Sequence, residues 1–438
     1  MKKALVFIFV ILVIAEARTQ IVIQNQTFTS TQTYSGSSWD GLIIKNCVFE
    51  NIIAPTTTAE NAIVLMGASN VTIDSCIFRN IQGNGIKIRE LLGGSDGITI
   101  TNCVFDSIYA NGIIVYQDNP NVIIRNNQMN NIGLDTIGAS LGQPHHGIYS
   151  RSKNILIEGN IIRNIYNNNG NCVSIRSSGT IRNNILYNAT KFGISYYSDH
   201  LGFNDTLFIE NNIIYNNDIQ GIGFYSNGDT ANHIGKAIVR FNTIVQQTGS
   251  CIYTAANVET INIEVYANIG VRLDGNPQII AFNSTTSEFT NLFSNTDIGF
   301  VDVLNNDYHL TNLSTAIGYA TGVIDFPADD FEGDSRTISM LDVGADQLSL
   351  TSGLIEREKQ KSSFEIYPNP ATHTIKVELN NDVQIKTIAI YDLTGKLIIL
   401  KKSVPKSQII KLNIEGLSAG TYFIKVNNLI SSKFIILK

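Results

Sequence analysis

Formal charge is scarce in this chain: Asp, Glu, Lys and Arg supply 16% of its 438 residues, and the net charge is −6. Without a concentrated basic surface nothing can hold a phosphate backbone, so nucleic acid is excluded as a partner. Histidine occurs six times and cysteine five, with no His-x-His or CxxC spacing, so no metal site can be read from either. Beyond the N-terminus no apolar run is long enough to cross a membrane. Asn, Ser, Thr and Gly take the place of charge, beside a hydrophobic fraction of 43%. That balance is too apolar for a disordered chain and suits a β-rich secreted one.

Residues 1–17, MKKALVFIFVILVIAEA, place two lysines before an apolar run and end on Ala15-Glu16-Ala17. The small-x-small ending predicts a signal peptide cut near Arg18, which leaves a mature chain without a transmembrane segment.

A repeat organises most of the remaining chain. LIIKNCVFENI, VTIDSCIFRNI, ITITNCVFDSI, VIIRNNQMNNI, ILIEGNIIRNI and LFIENNIIYNN align so that one small residue recurs at a fixed point. That point is held by Cys47, Cys76 and Cys103, then by Asn127, Asn160, Asn184, Asn212, Asn242 and Asn268, at intervals of 24 to 33 residues. Alternating β-branched and polar residues with no helical period predict about ten coils of a parallel β-solenoid. A stacked asparagine column would hydrogen-bond along the axis and fix the register.

Upstream of each of these points a second column aligns: NGIKIRE, NGIIVYQ, HGIYSRS, NCVSIRS, FGISYYS, QGIGFYS and SCIYTAA, on Gly85, Gly112, Gly147, Cys172, Gly193, Gly221 and Cys251. Side-chain alternation puts the next residue of each inward and predicts an outward column Arg89, Tyr116, Arg151, Arg176, Tyr197, Tyr225 and Ala255. A further outward column includes Asp118, Lys153 and Asp199. The pattern resembles the right-handed parallel β-helix superfamily, which includes pectate lyases, polygalacturonases and alginate or chondroitin lyases. The expected fold is therefore all-β: a right-handed parallel β-helix over 18–299, followed by a small C-terminal β-sandwich.

Residues 300–347, with Asp330, Gly333, Arg336, Asp342 and Gly344, resemble the closing segment of secreted bacterial β-helix proteins and are expected to cap the open end, where strand edges would otherwise stay unpaired. Residues 348–363 read as a linker. FEIYPNPATHTIKVEL, IYDLTGKLI and LSAGTYFIKV then resemble the C-terminal sorting domain of the type IX secretion system of Bacteroidetes, over 364–438. That resemblance implies export by this machinery, to the cell surface or beyond. Cys172 and Cys251 stand three coils apart, roughly 14 Å at the spacing of neighbouring strands, beyond disulfide reach. A bridge among Cys47, Cys76 and Cys103 is not expected.

The outward stripe is where chemistry is expected. Aromatic rings mixed with guanidinium groups, about 4.8 Å apart along the axis, would stack on sugar rings and pair with carboxylates, which points to an extended acidic polysaccharide. The longest interval contains LDTIGASLGQPHH, a loop beside the middle of the stripe. C5-proton chemistry on a uronate needs a cation, a base and an acid. Arg151 and Arg176 are the candidate cations, Lys153, His145 or His146 the base, and Tyr149 or Tyr197 the acid. Arg89, Tyr116, Tyr197, Tyr225, Asp118 and Asp199 are the candidate binding residues. The PHH run loosely resembles the D-P-H-D motif of β-helical mannuronan epimerases, with Gln143 and His146 where that motif has carboxylates. Asp118, Asp199 and Asp229 fall on separate coils, so no carboxylate pair suited to hydrolysis is in view. No cofactor is implied, no motif supports calcium, and a single copy is expected. Two functions stay open: a polysaccharide lyase or epimerase, and a non-catalytic glycan-binding or adhesin-like surface protein. The plainer alternative for the stripe is a solvated cover, and for the histidines a neutral ring bonded at a turn.

Overall fold

A computed structural model of the chain describes residues 20–53, 60–134, 144–198, 205–226, 234–258, 261–276, 279–283, 285–348, 364–379, 387–392, 397–402, 409–426 and 430–436. The expected signal peptide, the linker after residue 348, residues 135–143 of the insertion, Asp199 and Asp229 lie outside them. The chain forms two units, Met1–Ser349 and Leu350–Lys438.

The first unit is a coil of parallel strands. One 11-stranded sheet runs from Val22–Gln24 to Ser287–Phe289, a second from Thr27–Phe28 to Leu292–Ser294, and a 10-stranded third from Gln32–Ser35 to Ile280–Ala281. Every pairing within these sheets is parallel and links a strand to its counterpart one coil away, as in Ile148↔Val173 and Val173↔Ile194. The turn between the first two sheets explains the paired polar residues of the repeat. The first member, such as Asn126 or Asn183, takes φ 55, a left-handed conformation that asparagine tolerates. Its successor turns inward and joins the ladder.

That ladder runs Asn127–Asn160–Asn184–Asn212–Asn242–Asn268, each amide donating to the next at 2.9–3.0 Å, and reaches one coil further to Asn291. At its other end Cys103 takes the same place, its Sγ accepting from the Cys76 amide at 3.4 Å. All five thiols are free and buried. The core is filled mostly by Ile, Val and Phe, and Phe28, Phe49, Phe78 and Phe105 stack at 4.9, 4.9 and 4.5 Å.

The segment after the last coil packs on the side of the solenoid. Phe300, Tyr308, Leu310, Leu341 and Val343 pack on outward apolar residues of the later coils, among them Tyr215, Ile238, Phe241 and Val245. It lies along the flank of the solenoid, because those coils carry apolar side chains on their outer face that must be covered. Arg336 fixes the cover: its guanidinium lies 4.5 Å over the Phe241 ring and donates to Asn211 Oδ1 and to the carbonyls of Gly344 and Ala345. Asp330 and Asp342 accept backbone amides on both of their oxygens, so both are structural.

The second unit pairs a three-stranded and a four-stranded antiparallel sheet. Ile375, Val377 and Leu412 of one share a core with Ile388, Ile390, Ile424 and Phe434 of the other. Among the described residues no helix is long and apolar enough to cross a membrane.

Candidate functional site

The third sheet carries the stripe in register. Ile88 faces Val115, Val115 faces Ser150, Ser150 faces Ile175 and Ile175 faces Tyr196, so Arg89, Tyr116, Arg151, Arg176 and Tyr197 follow one another outward. Tyr197 pairs directly with Tyr225. The expectation that these rings offer their faces to sugars needs correction, because the faces are already occupied. Lys87 Nζ lies 5.6 Å from the Tyr116 ring centre, and the Arg151 guanidinium lies 5.6 Å from Tyr116 and 5.4 Å from Tyr149. Arg176 sits between Tyr149 at 5.2 Å and Tyr197 at 4.4 Å, and the pile continues through Tyr197–Tyr225 and Tyr225–Tyr253 at 5.0 and 5.2 Å. Strands about 4.8 Å apart force flat groups on adjacent coils into contact, which leaves edges and hydroxyls facing outward.

In the middle of this pile opens a cleft of about 270 Å³, walled by Pro144, His146, Asn169, Asn171, Arg176, Lys191 and Tyr197. Three of the sequence candidates meet there: Arg176, His146 and Tyr197. Tyr149 stands behind, its ring stacked on His146 at 5.5 Å, and its hydroxyl accepts from Arg151 Nε at 2.8 Å. Arg151, His145, Lys153, Asp118, Arg89, Tyr116 and Tyr225 do not line the cleft. Lys153 and Asp118 are exposed on the bends after their strands.

His146 occupies a place in a second polar ladder. Asn84 donates to Asn61 Oδ1 at 2.6 Å, Asn111 to Asn84 Oδ1 at 2.9 Å, and the His146 amide to Asn111 Oδ1 at 2.8 Å. The Asn171 amide then donates to His146 Nδ1 at 3.1 Å, as it would to an asparagine oxygen. An imidazole that accepts at Nδ1 carries its proton on Nε2, and this N–H has no partner among the described residues. The ring is 2% exposed. Burial first, then the positive charges of Arg176 and Lys191 and the neighbouring His145, hold its pKa well below the usual value. It is therefore neutral at pH 7, a donor at Nε2 and closed to proton uptake at Nδ1. The following Gly147 permits this corner: a Cβ there would lie 2.5 Å from Ile162 Cγ2 and 2.6 Å from the Cys172 carbonyl.

Lys191 was absent from the sequence candidates. Its Nζ donates to the Tyr197 hydroxyl at 3.4 Å and lies 5.0 Å over the Phe192 ring. It stands two residues before the aligned Gly193, in a column that reads Gly83, Ala110, His145, Gly170, Lys191, Ile219 and Gly249, so that column would have offered it together with His145. Asn171 serves as an anchor, donating to Ser195 Oγ at 2.8 Å and accepting from the Phe192 amide at 3.2 Å. Among the described residues no carboxylate lines the cleft. Arg176 is 7% exposed.

Carboxylates do cluster elsewhere, at Asp330, Glu332 and Asp346. Each is already engaged: Asp330 with backbone amides, Glu332 with His309 Nε2 at 2.9 Å, and Asp346 with the Leu310 amide at 2.6 Å. Glu332 and then Asp307 raise the His309 pKa to about 9, and burial raises that of Asp346 to about 6. This cluster ties the flanking segment to itself.

Residues 11–143 and 91–268 match the family model of the right-handed beta helix region, and residues 365–438 that of the secretion system C-terminal sorting domain. Among solved structures, a mutant of the periplasmic alginate epimerase AlgG is 13% identical, covers 62% of this chain and 74% of its own, and gives a TM-score of 0.42. Pectate lyase Pel9A is 13% identical over 74% of this chain and 87% of its own, with a TM-score of 0.40. The catalytic unit of an α-1,3-glucanase from Streptomyces thermodiastaticus is 12% identical over 63% and 64%, with a TM-score of 0.38. No curated protein matches the chain.

Proposed function

Since the chain belongs to the right-handed β-helix family and ends in a type IX secretion sorting domain, we propose that it is an exported protein that binds an acidic, uronate-containing polysaccharide at the Arg176 cleft and acts on it by C5-proton chemistry, as a lyase or epimerase. One observation carries this reading. The cleft gathers a guanidinium, an ammonium, a phenol and a buried neutral N–H around a space with no carboxylate among the described residues.

Arg176 and His146 Nε2–H would neutralise the sugar carboxylate, and a charge-assisted contact in so buried a place is stronger than one in water. Neutralisation acidifies the adjacent C5–H. His146 cannot take that proton, because Nδ1 is occupied and Nε2 already carries one. The Lys191–Tyr197 pair is then the source of both proton steps, provided the phenol has first lost its proton to solvent. As a phenolate held by Lys191 Nζ, Tyr197 would take the C5 proton as the electron pair forms the C4=C5 bond. The C4–O bond breaks, and the Lys191 ammonium protonates the leaving oxygen. In an epimerase the proton returns to the opposite face of C5 instead.

The test is incubation of the full chain with alginate, pectate and glycosaminoglycans in deuterated water. Ultraviolet absorbance would report an unsaturated uronate, and proton NMR would report deuterium at C5. Activity on at least one polymer is expected, with Arg176→Ala lowering it by roughly 10²–10³-fold. Neither signal on any polymer, with glycan binding retained, would establish a non-catalytic binder instead.

A further inference from the structure

The outward columns on the two sides of the cleft differ in kind. Toward the N-terminus stand Lys87, Arg89 and Arg151, and no carboxylate occupies either outward column there. Toward the C-terminus the same two columns read Tyr197, Tyr225 and Ala255, and Ser195, Gly223 and Tyr253, without one charge. Gly223 has no turn to make. A Cβ at that position would lie 2.7 Å from Tyr225 Cε2, so the absence of a side chain is what lets the Tyr225 ring lie across the strand. The ring is further held by the Gln220 side chain, which accepts from its hydroxyl, and by stacking on Phe192 at 5.3 Å. This half of the stripe is a fixed, half-buried aromatic surface whose accessible parts are ring edges and hydroxyls.

We infer that the stripe is bipolar and takes a mixed-charge glycan, with acidic sugars along Lys87, Arg89, Arg151 and Arg176 and uncharged sugars along Tyr225 and Tyr253. This rests on the proposal that the Arg176 cleft receives an acidic sugar, and it adds that the polymer is a heteropolysaccharide with a fixed direction along the solenoid. An acidic sugar beyond Lys191 would have to shed water against the uncharged column positions of Tyr225 and Tyr253. A neutral sugar there desolvates no charge and covers apolar ring edges.

Calorimetry with the full chain distinguishes the outcomes, using three probes: tetragalacturonate, cellotetraose, and a hyaluronan tetrasaccharide that alternates glucuronate with N-acetylglucosamine. The hyaluronan fragment should bind tightest. Arg151→Gln should weaken both acidic probes about 10-fold and flatten their salt dependence, whereas Tyr225→Ala should weaken only the hyaluronan fragment, also by about 10-fold. Tetragalacturonate binding tightest, with equal losses from both variants, would overturn the bipolar stripe while leaving the cleft intact. If neither acidic probe binds, the cleft reading itself falls.

Discussion

His146→Asn separates the functional part of the site from its structural part. Asparagine at this position would extend the ladder of Asn61, Asn84 and Asn111 by one step: its oxygen can accept from the Asn171 amide, and its amide can donate to Asn111 Oδ1. The substitution removes a buried Nε2–H that has no described partner, a relief of about 1–3 kcal/mol. It also removes the ring contact with Tyr149, a loss of about 0.5–1.5 kcal/mol. The two nearly cancel, so urea unfolding should place the variant within about 1 kcal/mol of the parent or above it. His146→Ala, by contrast, orphans the Asn171 amide and leaves a void, and should lose about 3 kcal/mol or more. Function should respond the other way. Losing a hydrogen bond to a charged carboxylate is worth about 1.5–3 kcal/mol, so His146→Asn should bind or turn over the acidic glycan about 10–150-fold less well. A pH series adds an internal check. The folded pKa of His146 lies below its unfolded value of about 6.5, so the unfolded chain takes the proton first. Stability from this residue is full above about pH 6.5 and is lost as pH falls toward the folded pKa, a loss that His146→Asn should not show. A variant that unfolds several kcal/mol more easily, or one that handles the glycan like the parent, would refute the division of roles.

Two further substitutions test the frame. Asn184→Ala removes the acceptor of the Asn160 amide and side chain and the donor to Asn212, so it should cost about 3–5 kcal/mol in urea unfolding. Asn184→Cys, which imitates the first coils, should recover part of that through a sulfur acceptor, and equal losses in both would argue against the ladder's energetic role. For His309 the folded pKa of about 9 lies above the unfolded 6.5, so its contribution is full below about pH 6.5 and is lost as pH rises through about 9. His309→Gln should therefore flatten the fall in melting temperature between pH 7 and 9, and an unchanged slope would discount the Glu332 contact.

What could be read from the sequence was what recurs in every coil. The asparagine column and the outward order Arg89 to Tyr225 followed from spacing, because the parallel register repeats one strand's pattern at a fixed offset. The cleft depends on residues that depart from their columns. Lys191 stands at a corner held by Gly83, Ala110, Gly170 and Gly249 but also by His145 and Ile219, and two adjacent histidines look alike until the ladder separates them: His146 is bonded into it, while His145 packs toward Gly133, outside it. Which nitrogen carries the proton is decided by the Asn171 amide, 25 residues away in sequence.

The flanking segment shows that a signal can be present and still be misplaced. Ile213, Tyr215, Ile238 and Val245 sit at outward positions, where a solvated sheet face would carry polar side chains. Runs such as NIIYNN and AIVRFNTIV are apolar on both faces, which means that something must cover these coils. Among the described residues this cover packs on strands of the first and second sheets rather than on the third. The same alternation rule thus marks both the face the fold hides and, by the half-polar pattern of HGIYSRS and NCVSIRS, the face on which we propose that a ligand sits.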